Sequence, residues 1–226
     1  MKRILITGAS RGIGRAIAEK LAAPESTLLL HGRDENALQE TKRRAEERGA
    51  RTEIIRCELS EANAVAKLEL GVVDVLVNNA GIAVVKPFSE VSLGEWQRTV
   101  DVNVTAPFLL TQKVALSMPD GGSIVNILSI AAKTGFAGWS SYCMSKFALE
   151  GFMQSVRAEL RPRGIRVINI YPAATDTDIW QGVEGDWPRD KMMSAEQIAS
   201  AVAYALAQPP SVVLENITLS NTAGAL

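Results

Sequence analysis

The sequence predicts a single α/β domain built on a doubly wound parallel sheet, and three features carry that prediction. Short apolar runs alternate with amphipathic helical stretches from one end to the other. Runs such as TLLLHG, VVDVLVNNAG and GIRVINIYP are almost continuously apolar, the pattern of parallel strands covered on both faces. A glycine-rich turn joins the first run directly to the first helix. With 226 residues, 47% of them hydrophobic, the chain has enough apolar material for one substantial core, so one domain over 1–226 is expected, its strands joined by right-handed crossovers.

Arg3 to Thr7 reads as a strand running into TGASRGIGRAIAEKLA, where Ile13, Ile17 and Leu21 repeat at helical spacing. Gly8, Gly12 and Gly14 permit a tight turn, close approach of backbone to a phosphate, and packing of helix on strand, while the helix N-terminus offers free N–H groups to an anion. After Pro24, TLLLHG forms a second strand ending at Gly32 and Arg33. In dinucleotide folds an acid here binds the ribose 2′-hydroxyl, whereas an arginine suits a 2′-phosphate. Arg33, joined by Arg11 from the first turn, therefore favours NADP(H) over NAD(H). The plainer alternative leaves Arg33 solvated and paired with Asp34 or Glu35.

Asp34 to Arg48 reads as a charged helix closed by Gly49, and RTEIIRCELS as a third strand with Cys57, Glu58 and Leu59 at its end, Cys57 being a small core residue. A short helix from Glu61 to Leu70 leads to VVDVLVNNAG. Asn78 and Asn79 close that strand with amides suited to tying strands together or touching a ligand. Ser92 to Met118 reads as one long helical region. Asn103, set between Val102 and Val104 in its middle, calls for a specific hydrogen bond.

GGSIVNILS is a buried strand that delivers the hydroxyl of Ser129 at its carboxyl end. In the helix after Gly138, Tyr142 and Lys146 stand one turn apart on one face. An ammonium beside a phenol favours the phenolate and draws it from about pH 10 toward neutrality, where tyrosine serves as general acid or base. Such a trio suits holding a carbonyl and protonating its oxygen. Spacing alone also allows a half-buried aromatic and a solvated lysine. Beyond GIRVINIYP and Pro172, the segment AATDTDIWQGVEGDWPRDKMM has no period and reads as a cover over a site, about 176–193, with Trp180 and Trp187 needing something to pack on; the alternative is an ordinary surface loop. Ala195 to Ala207 is a helix stopped by Pro209-Pro210, and VVLENITLS supplies a last strand.

Composition excludes several classes. With 24 basic against 25 acidic residues and net charge −1, nothing argues for nucleic acid or an anionic membrane, and a small molecule is the expected partner. No apolar run approaches the ~20 residues of a membrane span. No Cys/His cluster suggests a metal, and the single histidine, His31, makes a Ser/His/Asp triad hard to build. Two unrelated cysteines, Cys57 and Cys143, and an N-terminus without a signal-peptide pattern point to a reducing cytoplasm.

TGASRGIG at Thr7 to Gly14, NNAG at Asn78 to Gly81, then Asn103, Ser129, Tyr142 and Lys146 stand in the order and approximate spacing of the short-chain dehydrogenase/reductase family, and the chain resembles its compact single-domain branch almost end to end. The resemblance implies a Rossmann-type sheet, an NAD(P) cofactor and oxidoreductase activity on a ketone, aldehyde or alcohol. It implies that Tyr142 exchanges the proton, Ser129 steadies the substrate oxygen, Lys146 holds the nicotinamide ribose and acidifies Tyr142, and Asn103 anchors a water in a proton relay. It also implies cofactor contacts from Gly8, Ser10, Arg11, Gly12, Ile13, Gly14, Arg33, Glu58, Leu59, Asn79, Ala80, Gly81, Tyr142, Lys146, Thr175 and Thr177.

The chain departs from the family pattern in carrying Leu128-Ser129 for two serines, Glu58 for an aspartate, and Pro172-Ala173 for Pro-Gly. Its ending, ITLSNTAGAL, lacks the Gly-Gly tail of tetrameric members, so a homodimer is expected ahead of a tetramer. Phe147, Leu149, Phe152 and Met153 supply apolar surface beyond what one sheet face covers. Two other readings are a non-catalytic dinucleotide-binding regulator, which the intact Ser129, Tyr142 and Lys146 disfavour, and an NAD-dependent alcohol dehydrogenase, which Arg33 disfavours.

Overall fold

The computed structural model describes residues 1–181, 183 and 187–222. Seven strands, β1 (Lys2–Ile6), β2 (Ser26–Gly32), β3 (Arg51–Arg56), β4 (Val75–Asn78), β5 (Ser123–Ile127), β6 (Arg166–Pro172) and β7 (Asn216–Leu219), form one parallel sheet in the order β3-β2-β1-β4-β5-β6-β7. The order reverses between β1 and β4, which opens a crevice beyond their carboxyl ends.

Alternate residues of each strand enter opposite cores, which is why the strands read as unbroken apolar runs. Ile4, Ile6, Leu28, Leu30, Val125 and Ile127 meet helices α1 (Gly12–Leu21), α2 (Glu35–Glu46) and α7 (Ala195–Leu206) on one face. Leu5, Leu29, Leu76, Ile124 and Val167 meet α3 (Ala62–Ala66), α5 (Ala106–Ser117) and α6 (Ser140–Leu160) on the other. On that second face four asparagines stand in register on adjacent strands, Asn78, Asn126, Asn169 and Asn216. Asn78 donates to Asn126 at 3.0 Å, Asn126 to Asn169 at 2.9 Å, and Asn169 to Glu150 of α6 at 3.0 Å. Asn78, Asn126 and Asn169 are buried, Asn216 is exposed, and the bond from Asn169 to Glu150 ties the row to α6.

The long helical region expected from Ser92 to Met118 is not one regular helix. Helix α4 (Leu93–Val100), capped by a reciprocal Ser92 and Glu95 pair, passes through a π-helical turn at Asp101–Thr105 into α5. The extra residue in that turn lets Asn103 face inward, and such bulges concentrate at functional sites. Strand β3 stops at Arg56, leaving Cys57, Glu58 and Leu59 just beyond it, and β7 is shorter than VVLENITLS suggests. Ala173, where the family pattern has glycine, costs no strain, for no described non-glycine residue has a positive φ. No helix of the described residues is long and apolar enough to cross a membrane.

Candidate active site

Two adjoining cavities lie at the carboxyl edge of the sheet, and they share Ile13, Asn79, Gly81, Thr177 and Ile179. The first, about 350 Å³, runs over the ends of β1 to β4. Gly8, Ser10, Arg11, Gly12, Ile13, Arg33, Glu58, Leu59, Asn79, Ala80, Gly81 and Thr177 line it. Gly8 turns the chain with φ +67°, and a Cβ on Gly14 would stand 2.1 Å from the Gly8 carbonyl oxygen, so Gly14 is there to seat the helix under the turn. Asn79 donates to the carbonyls of Thr7 at 2.8 Å and Gly8 at 3.3 Å. Sequence reasoning missed Arg15, which spans from the Ser10 carbonyl to Ala37 and Thr41 and braces the turn from behind.

These residues fit a dinucleotide. Helices α2, α4 and α7 are capped by the side chains of Asp34, Ser92 and Ser194, whereas α1, like α3, α5 and α6, has no side-chain cap, and of these α1 begins at Gly12 and Ile13 on the lining of the cleft. Its first amides are left facing the cleft, where a pyrophosphate is the acceptor they suit. Arg33 does not pair with Asp34 or Glu35. Asp34 caps α2 and Glu35 meets Arg56, while Arg33 reaches across to Glu58 at 3.1 Å. Arg11 stands 3.5 Å from Asp178. Arg98 on α4 and buried His31 on β2 also line the cleft, neither with a signal in the sequence to place it there. His31 Nε2 meets the Cys57 carbonyl, and burial pushes the imidazole down, keeping it neutral.

The second cavity, about 410 Å³, is apolar and holds Ser129, Tyr142 and Lys146 together with Thr175 and Thr177. Ser129 Oγ accepts from the Ala131 amide at 3.1 Å, and its side chain also acts on the Tyr142 phenol beside it. Lys146 is 4% exposed, its Nζ donating to the Ile127 carbonyl at 3.0 Å and lying 5.5 Å from the Tyr142 ring centre. The expected acidification of Tyr142 is not what this arrangement produces. Burial pushes the phenol up to about 12, against the influence of Ser129, and burial also brings Lys146 down to about 8. Burial is the largest influence on the phenol, and the Lys146 ammonium is turned to the Ile127 carbonyl.

Asn103 lines neither cavity. It is 1% exposed and lies behind them, its Oδ1 accepting from the Ile82 amide while its Nδ2 donates to the Ile82 carbonyl and to Ser145 Oγ. One amide hydrogen ties the π-turn to α6 one residue before Lys146 and the other ties it to the chain at Ile82, which leaves only a lone pair on Oδ1 for a water. In the cover, Trp180 and Trp187 pack on one another and on Trp139, and Arg189 pairs with Asp176. Residues 182 and 184–186 of that cover, and 223–226 of the C-terminal tail, lie outside the described residues.

The short chain dehydrogenase family model matches residues 2–186. A sepiapterin reductase from Chlorobaculum tepidum is 35% identical over 99% of this chain and 98% of its own length. A 3-oxoacyl-acyl-carrier-protein reductase from Aquifex aeolicus is 34% identical over 92% of this chain and 91% of its own. The solved structure of a short chain dehydrogenase from Burkholderia cenocepacia in complex with NADP superimposes with a TM-score of 0.88 at 32% identity, covering 97% of this chain and 96% of that one.

Proposed function

Because the chain belongs to the short-chain dehydrogenase/reductase family and is an NAD(P)-dependent oxidoreductase, we propose that it reduces a ketone or aldehyde to an alcohol, reversibly, with NADP(H) as cofactor and Tyr142 as general acid. The observation that carries this reading is the convergence of Ser129, Tyr142 and Lys146 on one apolar cavity that opens onto an arginine-rimmed cleft. Arg11 and Arg33 at the rim, with NADP bound in the similar Burkholderia structure, support NADP(H) over NAD(H). The relatives' names span different substrates and choose none.

Bound in the cleft, the nicotinamide would supply the hydride that reaches the carbonyl carbon. Ser129 and Tyr142 hold the carbonyl oxygen from one side. Tyr142, kept protonated by burial, gives its proton to that oxygen as negative charge gathers there, and a phenolate remains. Lys146, whose ammonium is still charged at neutral pH, stabilises that phenolate, and Asn103 holds α6 where Tyr142 and Lys146 stand. The glycine turn and α1 hold the pyrophosphate, with Thr175 and Thr177 beside the shared part of the two cavities.

A homodimer is part of the same proposal, on narrower grounds than the sequence offered. Leu149 and Met153 are buried in the chain's own core, so the exposed large apolar side chains of α5 and α6 are Leu116, 83% exposed, Phe147, 45% exposed, and Phe108, 39% exposed and edge-on to Phe152. Both cysteines are free, which suits a reducing cytoplasm.

The deciding experiment is a screen of the purified protein with NADPH and NADH against ketones, aldehydes and alcohols. NADPH consumption with a ketone or aldehyde is expected. Tight dinucleotide binding with no turnover on any of them selects the regulator instead.

A further inference from the structure

The apolar cavity is furnished for a narrower ligand than a carbonyl compound in general. We propose that it takes a neutral, flat, ring-bearing ketone, aromatic or fused, whose carbonyl oxygen is its one polar anchor. This rests on the carbonyl-reductase reading above and specifies its substrate class.

Charge and polarity set the first limit. Among the described residues that line the cavity, Lys146 is the only charged one, and one of its three ammonium hydrogens goes to the Ile127 carbonyl while its charge serves the Tyr142 phenol. No guanidinium or second ammonium faces a carboxylate or phosphate on a substrate, and a buried anion without a partner is strongly disfavoured. The remaining polar side chains are nearly all engaged. Asn79 donates to Thr7 and Gly8, and Thr175 to the Ala173 carbonyl. A polyhydroxylated substrate would find few partners beyond the Ser129 and Tyr142 pair, and each hydroxyl buried without one weakens binding.

Shape sets the second limit. Trp139, the residue before α6, stands edge-to-face with Tyr142 at 5.6 Å between ring centres and 68° between planes. It meets Trp180 at 5.6 Å and Trp187 at 6.3 Å, and those two lie 4.9 Å apart at 47°. The Trp180 indole N–H donates to the Thr175 carbonyl at 2.9 Å, so that ring is held in orientation by a hydrogen bond as well as by contact. An aromatic wall thus runs without a break from the phenol outward. Rigid indole faces and edges reward a flat partner at little entropic cost, and a flexible acyl chain gains less from them.

The test uses three neutral or anionic ketones as probes with NADPH: 2-tetralone, which is fused and flat, levulinate, which carries a carboxylate, and dihydroxyacetone, which is small and polar. We expect kcat/KM for 2-tetralone to exceed both others by at least tenfold. Binding is read separately from turnover. Three of the chain's four tryptophans belong to the wall, so in a Trp96→Phe background 2-tetralone should quench the fluorescence and levulinate should not. Trp180→Leu, and independently Trp187→Leu should either variant misfold, should lower the 2-tetralone to propanal ratio of kcat/KM at least fivefold. A preference for levulinate or dihydroxyacetone, absent quenching by 2-tetralone, or an unmoved ratio in a folded variant overturns the inference. Quenching by 2-tetralone with no carbonyl reduced at all leaves the ring pocket standing and removes the reductase reading instead.

Discussion

The two cavities meet at the same reversal of strand order, yet their chemistry is opposite. The cleft over β1 to β4 is rimmed by Arg11, Arg33 and Arg98 and floored by backbone of the glycine turn, whereas the pocket against α6 is walled by indoles and holds a single ammonium among its described residues. A charged, flexible dinucleotide is recognised by directed polar contacts, and these can be laid down by a few residues close together in sequence. A neutral substrate is recognised by surface, which must be gathered from distant segments. One side of the site is therefore suited to the cofactor and the other to the substrate.

The sharpest way to break that division is to alter the one residue on which the chemistry of the pocket turns. Tyr142→Phe keeps the ring's packing against Trp139 and removes the hydroxyl beside Ser129. Loss of a general acid costs roughly 10²- to 10⁴-fold, so kcat should fall by that much while NADPH binding, measured by titration, changes little. A folded variant with near-parental kcat on a ketone the parent reduces would falsify the assignment of Tyr142.

On the other side, Arg33→Asp should act on cofactor choice and hardly at all on the order in which ketones are preferred. A charge-assisted contact to a phosphate is worth about 1.5–3 kcal/mol, and the new carboxylate adds repulsion while accepting from ribose hydroxyls. The NADPH to NADH ratio of kcat/KM should drop about tenfold to a hundredfold and pass below one. An unmoved ratio means Arg33 serves only its contact with Glu58.

The same contrast explains what could be read in advance. The glycine turn, the sheet, and the trio of Ser129, Tyr142 and Lys146 were legible because each is carried by local pattern, a turn needing glycine or two residues one helical turn apart. Asn103 announced itself as a polar misfit among valines, but the π-turn that aims it inward did not, since nothing in DVNVT marks an added residue in a helix. Trp139 carries no periodic signal in the sequence, and its place between Tyr142 and the two cover tryptophans follows from a segment about forty residues away that packs on it. The Arg33 and Glu58 contact joins the ends of β2 and β3, a pairing set by strand register. The direction of the Tyr142 shift also had to wait, because spacing shows an ammonium near a phenol but not how dry both of them are.

That dryness makes a pH profile informative. Burial sets Lys146 at about 8 and Tyr142 at about 12, so on raising the pH Lys146 loses its proton first, and with it the charge that stabilises the nascent phenolate. The kcat/KM for reduction, which reports groups of the free enzyme, should be level near neutrality and fall about tenfold per pH unit above roughly 8. Lys146→Arg, which stays charged, should move that limb upward. A parental limb that begins only near 12 would assign it to Tyr142.

The smallest effect tests the corner where the cleft is least like the pocket. Glu58 sits beyond β3 with Arg33 at 3.1 Å, both partly open to solvent. Burial works upward on its carboxyl, but hydrogen bonds from the Ser60 amide and from Arg33 outweigh it and hold the group below the usual carboxylate range, so it is fully charged at neutral pH. An exposed pair of this kind is worth about 0.2–1 kcal/mol, less than the contact a phosphate would make, so an incoming 2′-phosphate takes Arg33 from Glu58. The carboxylate then remains beside a like charge. Two charges about 4 Å apart repel by about 1 kcal/mol in water, which is close to a fivefold change. Glu58→Gln keeps the size and a hydrogen-bond acceptor for the Ser60 amide while removing that charge, and NADPH should gain about fivefold over NADH in kcat/KM. Because exposed charges are screened, the gain should shrink as salt rises from about 0.01 M to 1 M. No gain at low salt would mean that Glu58 turns away when the phosphate binds, and a shift toward NADH would mean that its charge holds Arg33 in place for the phosphate.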